Sequence, residues 1–342
     1  MTMMANMTAA VTGGTGFIGQ VLVKKLLDQG QAVRLITRRS SSSRFSQESG
    51  AEIVRADLNQ VDSLKTVLNG CHQVYHLAAL AKNYDPEPAN FYRVNVEAFR
   101  SLLEASLATG VKRVVFVSSS VVKGPSRLGP VSEDSSRGDI PFFTDYEKSK
   151  ALAETIIPGY LERGLEVVIA RPTRVYGPGQ LTEANSVTRL ITGFLKYRIC
   201  LLLDQGREIG NYVYVDDVAN GLELMMERGR PGEDYILGGE NVSLYEFYRQ
   251  LEEVSGRKAF KLKIGSRLAM MVAKLETLKA RWLGLYPFIT TSWVKTFLEN
   301  WAYSHQKAAE ELAYQPRSLR QGLQLTCDWL GYLNKKAEMV RK

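Results

Sequence analysis

Six short runs dense in Val, Ile and Leu punctuate the first half of the chain, at 8–12, 32–37, 52–57, 73–78, 113–118 and 166–171. Several are continuous rather than alternating, the pattern of strands covered on both faces. Between them apolar residues recur at helical spacing. Val21, Leu22, Leu26 and Leu27 mark a helix over 19–29 that Gly30 stops, and positions 91, 94, 98, 102, 103 and 107 mark another over 90–109. Strand and helix in alternation predict an α/β protein with a doubly wound parallel sheet. The rhythm weakens after Pro172. Gly177-Pro178-Gly179 forms a turn cluster, 211–219 reads as a strand entering a helix, 234–237 as a further strand, and helices dominate from Lys258. The expected division is a nucleotide domain over 7–171 plus about 211–237, a smaller and partly interleaved C-terminal substrate lobe over about 172–210 and 238–330, and a basic tail over 331–342.

Composition narrows the class without naming a function. The 342 residues are 45% hydrophobic and 23% charged, which excludes collagen, a mainly disordered chain and a disulfide-stapled miniature. Cys71, Cys200 and Cys327 lie far apart, so reduced thiols are expected, and His72, His76 and His305 form no metal-spaced cluster. Residues 1–7 carry no basic residue, and no stretch approaches the ~18 uncharged apolar residues of a spanning helix; a cytoplasmic protein is expected. The net charge of +8 is uneven: 257–342 holds 16 Lys/Arg against 6 Asp/Glu, whereas 1–256 holds 28 against 30. No helix-turn-helix, zinc or RNP pattern accompanies that surplus, so nucleic acid is not an expected partner.

Thr12-Gly13-Gly14-Thr15-Gly16-Phe17-Ile18-Gly19 follows the first predicted strand and opens the first predicted helix. Glycine accepts φ > 0 and brings backbone close to a pyrophosphate with no Cβ in the way. The helix start behind it offers free N–H groups and a partial positive charge. Strand, loop and helix therefore stand where dinucleotide binding needs them. A chain that selects NAD usually ends its second strand with Asp or Glu. This one has Thr37-Arg38-Arg39-Ser40, with Arg44 nearby. No carboxylate repels a 2′-phosphate there, and guanidiniums are at hand to grip one, so the expected cofactor is NADP(H). One or two charge-assisted hydrogen bonds would give a preference of roughly 10- to 10³-fold.

The glycine spacing resembles the TGxxGxxG turn of the extended short-chain dehydrogenases/reductases, the NAD-dependent epimerase/dehydratase superfamily. The resemblance covers about 8–330 and is tight at the quoted motifs. It implies an α/β Rossmann fold with a substrate lobe. It places cofactor contacts at Gly13, Thr15, Gly16, Phe17, Ile18 and Gly19, at Arg38, at Asp57 and Leu58 near the adenine, at Ala78 near the ribose and at Pro172 beside the nicotinamide.

Tyr146 and Lys150, four residues apart, would share a helix face. An ammonium within ~4–6 Å of a phenol favours phenolate and lowers its pKa. Ser118-Ser119-Ser120 ends the fifth strand, where open α/β sheets bind ligands. The resemblance makes Tyr146 the acid/base and Lys150 the residue that lowers its pKa and holds the ribose. Counting back five from Gly124 makes Ser119 the carbonyl-binding hydroxyl, with Ser118 and Ser120 as alternatives. It also makes Asn95 an organiser of the active-site helix. His76 reads as structural.

Arg171-Pro172-Thr173-Arg174-Val175-Tyr176-Gly177-Pro178 resembles the family's segment after strand six. Sugar-nucleotide epimerases and dehydratases carry Asn where Arg174 stands, Tyr where Lys123 stands and an acid on strand two. Those departures turn the resemblance toward the dihydroflavonol-4-reductase-like and 3β-hydroxysteroid-dehydrogenase-like group. The implied activity is NADPH-dependent reduction of a ketone or aldehyde, reversible as an alcohol dehydrogenase, on a small and fairly apolar substrate, by a monomer or homodimer. The alternatives are an NAD(P)-dependent sugar-nucleotide epimerase or dehydratase, and a non-catalytic NADP-binding scaffold or redox sensor. Asp216-Asp217 is expected to cap a helix and fix the lobe junction. A last motif lies over 267–286, where Leu268, Met271, Val272, Leu275, Leu278, Trp282 and Leu285 form a stripe among Arg267, Lys274, Lys279 and Arg281. It reads as a core helix, a lid over the substrate, or a peripheral membrane contact through the basic C-terminal quarter.

Overall fold

The computed structural model describes residues 8–38 and 49–340, with 332–340 as backbone. Its strands in chain order are β1 (Thr8–Thr12), β2 (Val33–Thr37), β3 (Glu52–Arg55), β4 (Cys71–His76), β5 (Arg113–Val117), β6 (Glu166–Pro172), β7 (Arg174–Tyr176), β8 (Ile199–Leu203), β9 (Ile209–Tyr214), β10 (Asp234–Leu237), β11 (Glu240–Ser243) and β12 (Phe260–Ile264). Seven of them form the main sheet in the order β10-β6-β5-β4-β1-β2-β3, every neighbouring pair parallel. The chain reverses direction of build between β1 and β4, so the sheet is doubly wound.

The uniformly apolar strands are explained by cover on both faces. Val115 of β5 faces a layer made by helices Phe17–Asp28 and Val215–Arg228, through Leu22, Leu26, Val218 and Leu222. Its neighbours Val114 and Phe116 face the other layer, through Leu64, Phe99, Leu102 and Leu103. Each such side chain, fully buried, contributes about 1.5–3 kcal/mol.

Several boundaries depart from the sequence reading. The first helix begins at Phe17, two residues before position 19, because Gly16 is its N-cap. The expected helix over 90–109 is interrupted: Ala89–Tyr92 runs into a π-helical turn, Arg93–Glu97, before Ala98–Thr109. β7, β9 and β11 make a second sheet, and β8 pairs with β12 in a two-stranded ribbon. Asp216 and Asp217 do not cap the helix Val215–Arg228; they lie in its first turn, and no side chain caps it. Asp217 instead accepts 3.0 Å hydrogen bonds from the Arg317 backbone N–H and Nε, tying the segment just before the last described helix to the helix Val215–Arg228. Cys71 and Cys200 are buried free thiols and Cys327 is a half-buried one. The stripe over 267–286 is not a core face. Helix Ser266–Leu283 packs through Ala269, Ala273 and Ala280, and the large apolar side chains of the stripe point outward.

Candidate active site

Because the seven main strands are parallel, their C-terminal ends share one edge, and every expected site residue among those described except Tyr146 and Lys150 follows one of these ends. Gly13 through Gly19 follow β1, Arg38 follows β2, Asp57 and Leu58 follow β3, Ala78 follows β4, Ser119 follows β5, and Pro172 closes β6. Arg39, Ser40 and Arg44 lie outside the described residues.

The glycine turn is a cradle. Gly13 has φ +69°, and a Cβ there would stand 2.5 Å from the Ala78 nitrogen; at Gly19 it would stand 2.3 Å from the Gly13 carbonyl. Thr15 is half-buried and its carbonyl accepts the Gln20 side chain at 2.9 Å. Phe17 is buried beneath Gly179, and Ile18 packs on the same core. The helix start at exposed Gly16 has no side-chain cap and no acidic residue in its first turn. Free amides and an uncompensated positive helix end suit an anion, so the turn fits a dinucleotide pyrophosphate. Arg38 is exposed in the loop immediately after β2, the strand that pairs with β1. Asp57 is exposed and accepts the Asn59 N–H at 3.0 Å, Leu58 is buried, and the Ala78 N–H donates to the Thr12 hydroxyl at 3.4 Å. Pro172 is buried opposite Leu237 of β10.

Three adjacent serines leave β5 in three directions. Ser118 donates to Glu154 Oε1. Ser120 faces the Tyr303 phenol and acts to lower its pKa, and the Tyr303 hydroxyl donates to the Gly124 carbonyl at 3.2 Å. Ser119 alone of the three meets Tyr146. Extended backbone at Ser119, φ −159° and ψ 145°, turns successive side chains apart.

Tyr146 and Lys150 come from helix Asp145–Thr155, which Thr144 caps by accepting the Glu147 N–H at 3.1 Å. Burial pushes the Tyr146 phenol up to about 12, against the lowering effect of the Ser119 hydrogen bond, with Glu147 adding to the rise. Lys150 is 1% exposed; its Nζ donates to the Val117 carbonyl at 2.8 Å and lies 4.8 Å over the Phe116 ring. Burial lowers it to about 7, with Glu154 acting in the opposite sense. The expectation that Lys150 depresses the Tyr146 pKa is not met in the protein alone: the ammonium is turned toward β5, and Lys150 is not among the groups that shift the phenol.

Positioning groups surround this centre. Asn95, in the π-helical turn, accepts the Leu80 N–H at 2.7 Å and donates to the Ser149 hydroxyl at 2.9 Å, which itself donates to the Tyr146 carbonyl. Arg137 donates to Glu147 at 2.8 Å and to the Val121 carbonyl at 2.6 Å, holding the loop after β5 over the helix. His76 stacks on Phe99 and Phe116, bonds the Thr12 hydroxyl at 2.7 Å, and is held neutral, down to about 3, by burial and by Lys150. That is the structural role expected of it.

Sequence reasoning missed Glu154. It receives Ser118 and two bonds from Arg171, the shorter 2.6 Å, while Arg171 also pairs with Asp234 of β10. The signal was present: Glu154 continues the four-residue spacing of Tyr146 and Lys150. Arg174 was noted only as a departure. Its guanidinium lies 5.1 Å from the Phe297 ring and 5.7 Å from Tyr212, donates to the Tyr212 hydroxyl at 3.4 Å, and acts electrostatically on Tyr303. A proton donor, a neighbouring hydroxyl and a buried amine beside a dinucleotide cradle can protonate a carbonyl oxygen as hydride arrives, or run that step backwards.

The family model described as NAD dependent epimerase/dehydratase family matches residues 9–238. The chain is similar to a putative dihydroflavonol 4-reductase of Synechocystis sp., 31% identical over 324 residues that cover 93% of each protein. It is also similar to sterol demethylase protein B of Methylococcus capsulatus, 32% identical over 79% of this chain and 81% of that one. Among solved structures it resembles gox2253, with TM-score 0.80 and 29% identity over 96% of this chain and 98% of that one. It likewise resembles MoeE5 in complex with UDP-glucuronic acid and NAD, with TM-score 0.75 and 27% identity over 95% and 99%.

Proposed function

The chain belongs to the NAD dependent epimerase/dehydratase family, the extended short-chain dehydrogenases/reductases, and from that premise we propose that it is an NADPH-dependent reductase of ketones or aldehydes. One observation carries the reading: the Lys150 amine, bonded to the Val117 carbonyl, and Tyr146, whose phenol the Ser119 hydroxyl acts on, stand at the end of β5, on the same sheet edge as the uncapped glycine turn. When bound, the dinucleotide supplies hydride. The turn from Gly13 to Gly19 would hold its pyrophosphate, Arg38 its 2′-phosphate and Asp57 and Leu58 its adenine, with Ala78, Lys150 and Pro172 as further contacts. Ser119 donates to the substrate carbonyl oxygen and Tyr146 delivers the proton to it. A phenol raised by burial keeps its proton at neutral pH, so Tyr146 is ready to act as the acid of carbonyl reduction. Alcohol oxidation needs the phenolate and should quicken as pH rises. Arg38, in the position where NAD-selecting chains carry an acid, supports NADP over NAD.

The second reading, a sugar-nucleotide epimerase or dehydratase, draws on the likeness to MoeE5. Arg174 and Lys123 weigh against it; Lys123 is occupied by the Glu133 carbonyl. Incubation of the purified chain with NADPH and a panel of apolar ketones and aldehydes tests the proposal. The expected result is one NADPH consumed per carbonyl reduced, with NADH much slower. A tightly held NAD without net consumption, together with interconversion of nucleotide-sugar epimers, would establish the second reading instead.

A further inference from the structure

Helix Ser266–Leu283 inverts the usual rule of burial. It meets the rest of the protein through Ala269, Ala273 and Ala280, with Met270 packed at the margin. The opposite face carries Leu268, Met271, Leu275, Leu278 and Trp282, three and four residues apart, each more than half exposed and Trp282 81% exposed. The chain prolongs this surface past the helix with Leu285 and with Phe288, 88% exposed. A contiguous apolar face of that length marks an interaction site.

The charges beside it say what covers it. Arg267, Lys274 and Arg281, all exposed, form a row at seven-residue spacing along one side of the stripe, and none has an ion-pair partner among the described residues. From Arg257 to Lys295 there are nine Lys/Arg and a single carboxylate, Glu276, which is taken by Lys279 at 2.6 Å and by the Phe288 N–H at 3.0 Å. A groove of about 420 Å³ beside the stripe sets Arg267 and Lys274 over Met270, Met271 and Leu298. A second copy of the chain fits poorly. Two such helices packed antiparallel bring the cationic rows together, and packed parallel they set Lys274 against Lys279. A surface offering both an apolar layer and negative charge satisfies stripe and row at once. No helix among the described residues is long and apolar enough to cross a membrane, so the contact would lie in the plane of the interface. The Tyr286 hydroxyl bonds Glu183 and the Tyr84 carbonyl, fixing the end of this surface to the loops after β4 and β7.

We propose that this face docks the protein onto anionic lipid bilayers, peripherally, with Trp282 and its neighbours in the headgroup boundary and the Arg267–Lys274–Arg281 row on the lipid phosphates. The inference rests on this surface alone and is independent of the reaction assigned above. Flotation of the full chain with vesicles of equimolar phosphatidylcholine and phosphatidylglycerol tests it, with pure phosphatidylcholine vesicles as the contrast. Binding should be at least about tenfold stronger on the anionic vesicles and should weaken with salt. The triple variant Arg267→Glu, Lys274→Glu, Arg281→Glu should lose roughly a hundredfold. Leu275→Ser combined with Trp282→Ser should lose binding as well, with unchanged melting and unchanged turnover of a water-soluble substrate. Trp282 emission should shift to the blue on anionic vesicles, and Trp282→Phe should abolish that shift. No flotation, or equal flotation of the charge-reversed variant, overturns the proposal. So does a dimer in sedimentation that Leu275→Ser dissolves, since a second copy would then cover the face.

Discussion

Two helices of this protein break the ordinary partition of side chains in opposite senses. Helix Asp145–Thr155 buries Glu147, Ser149 and Lys150, at 2%, 0% and 1% exposure. Helix Ser266–Leu283 buries alanines and turns leucines, Met271 and a tryptophan outward. The first inversion is compensated from within. Glu147 has Arg137, Ser149 has Asn95, and Lys150 has the Val117 carbonyl and the electrostatic support of Glu154. The second finds no such compensation among the described residues. Buried polar groups that find partners signal a site built for chemistry inside the fold. Exposed apolar groups that find none signal a site completed from outside.

The largest effect should come from the inward helix. Tyr146→Phe removes the proton donor and leaves its surroundings otherwise intact. Turnover of a ketone should fall roughly 10²- to 10⁴-fold while NADPH affinity stays the same. Stopped-flow hydride transfer beside a binding titration checks both halves. Turnover close to that of the parent would remove the chemical meaning of the buried polar face. Next in size is Arg38→Ala, at the far end of the same sheet edge. NADPH affinity should drop about 10- to 100-fold with NADH affinity unchanged, read by cofactor fluorescence. An equal loss for both cofactors would mean that Arg38 does not discriminate between them.

What the sequence disclosed follows the same division. The sheet was legible because strands covered on both faces need unbroken apolar runs, and the glycine turn because only Gly fits at positions 13 and 19. The choice among Ser118, Ser119 and Ser120 was narrowed by analogy; its physical basis, three hydroxyls sent to Glu154, Tyr146 and Tyr303, needed coordinates. β8 and β12 escaped notice because their pairing joins Ile199 to Phe260, about sixty residues apart in sequence, and local pattern carries no such information. The stripe over 267–286 teaches most. Periodicity showed that one face of the helix is apolar, but it does not say whether that face points at the core or away from it. Alanines at 269, 273 and 280 were the overlooked cue: a small-residue face allows close approach to the body and leaves the large residues outside.

A smaller effect tests whether the inward helix keeps its lysine at a cost. In the folded protein Lys150 titrates at about 7, below the ~10.4 of an unfolded chain. Between those values the unfolded chain binds more protons. Stability therefore falls as pH drops from about 10 toward 7, and the penalty is constant below. Lys150→Met should abolish turnover yet raise stability at neutral pH by about 1–2 kcal/mol, the Val117 carbonyl left open offsetting part of the gain. Near pH ~10 the gain should vanish. Urea unfolding at the two pH values reads it directly. A variant less stable than the parent at neutral pH would show that the amine holds the fold together rather than straining it.

The smallest effect belongs to the outward helix and is informative because it is small. Leu275 is 61% exposed, so Leu275→Ser removes little buried surface, and stability should stay within about 0.5 kcal/mol of the parent. Leu102, at 0% exposure between sheet and helix, supplies the reference: Leu102→Ala should cost about 2–5 kcal/mol through lost burial and the cavity it leaves. Thermal melts of both variants at several protein concentrations separate the possibilities. A Leu275→Ser loss comparable to that of Leu102→Ala and growing with concentration would mean that the stripe is already buried between copies in solution. A loss of that size independent of concentration would mean that the helix packs by its leucines after all. A flat response leaves the leucines with no work to do inside the isolated chain, as their exposure and the alanine face behind them require.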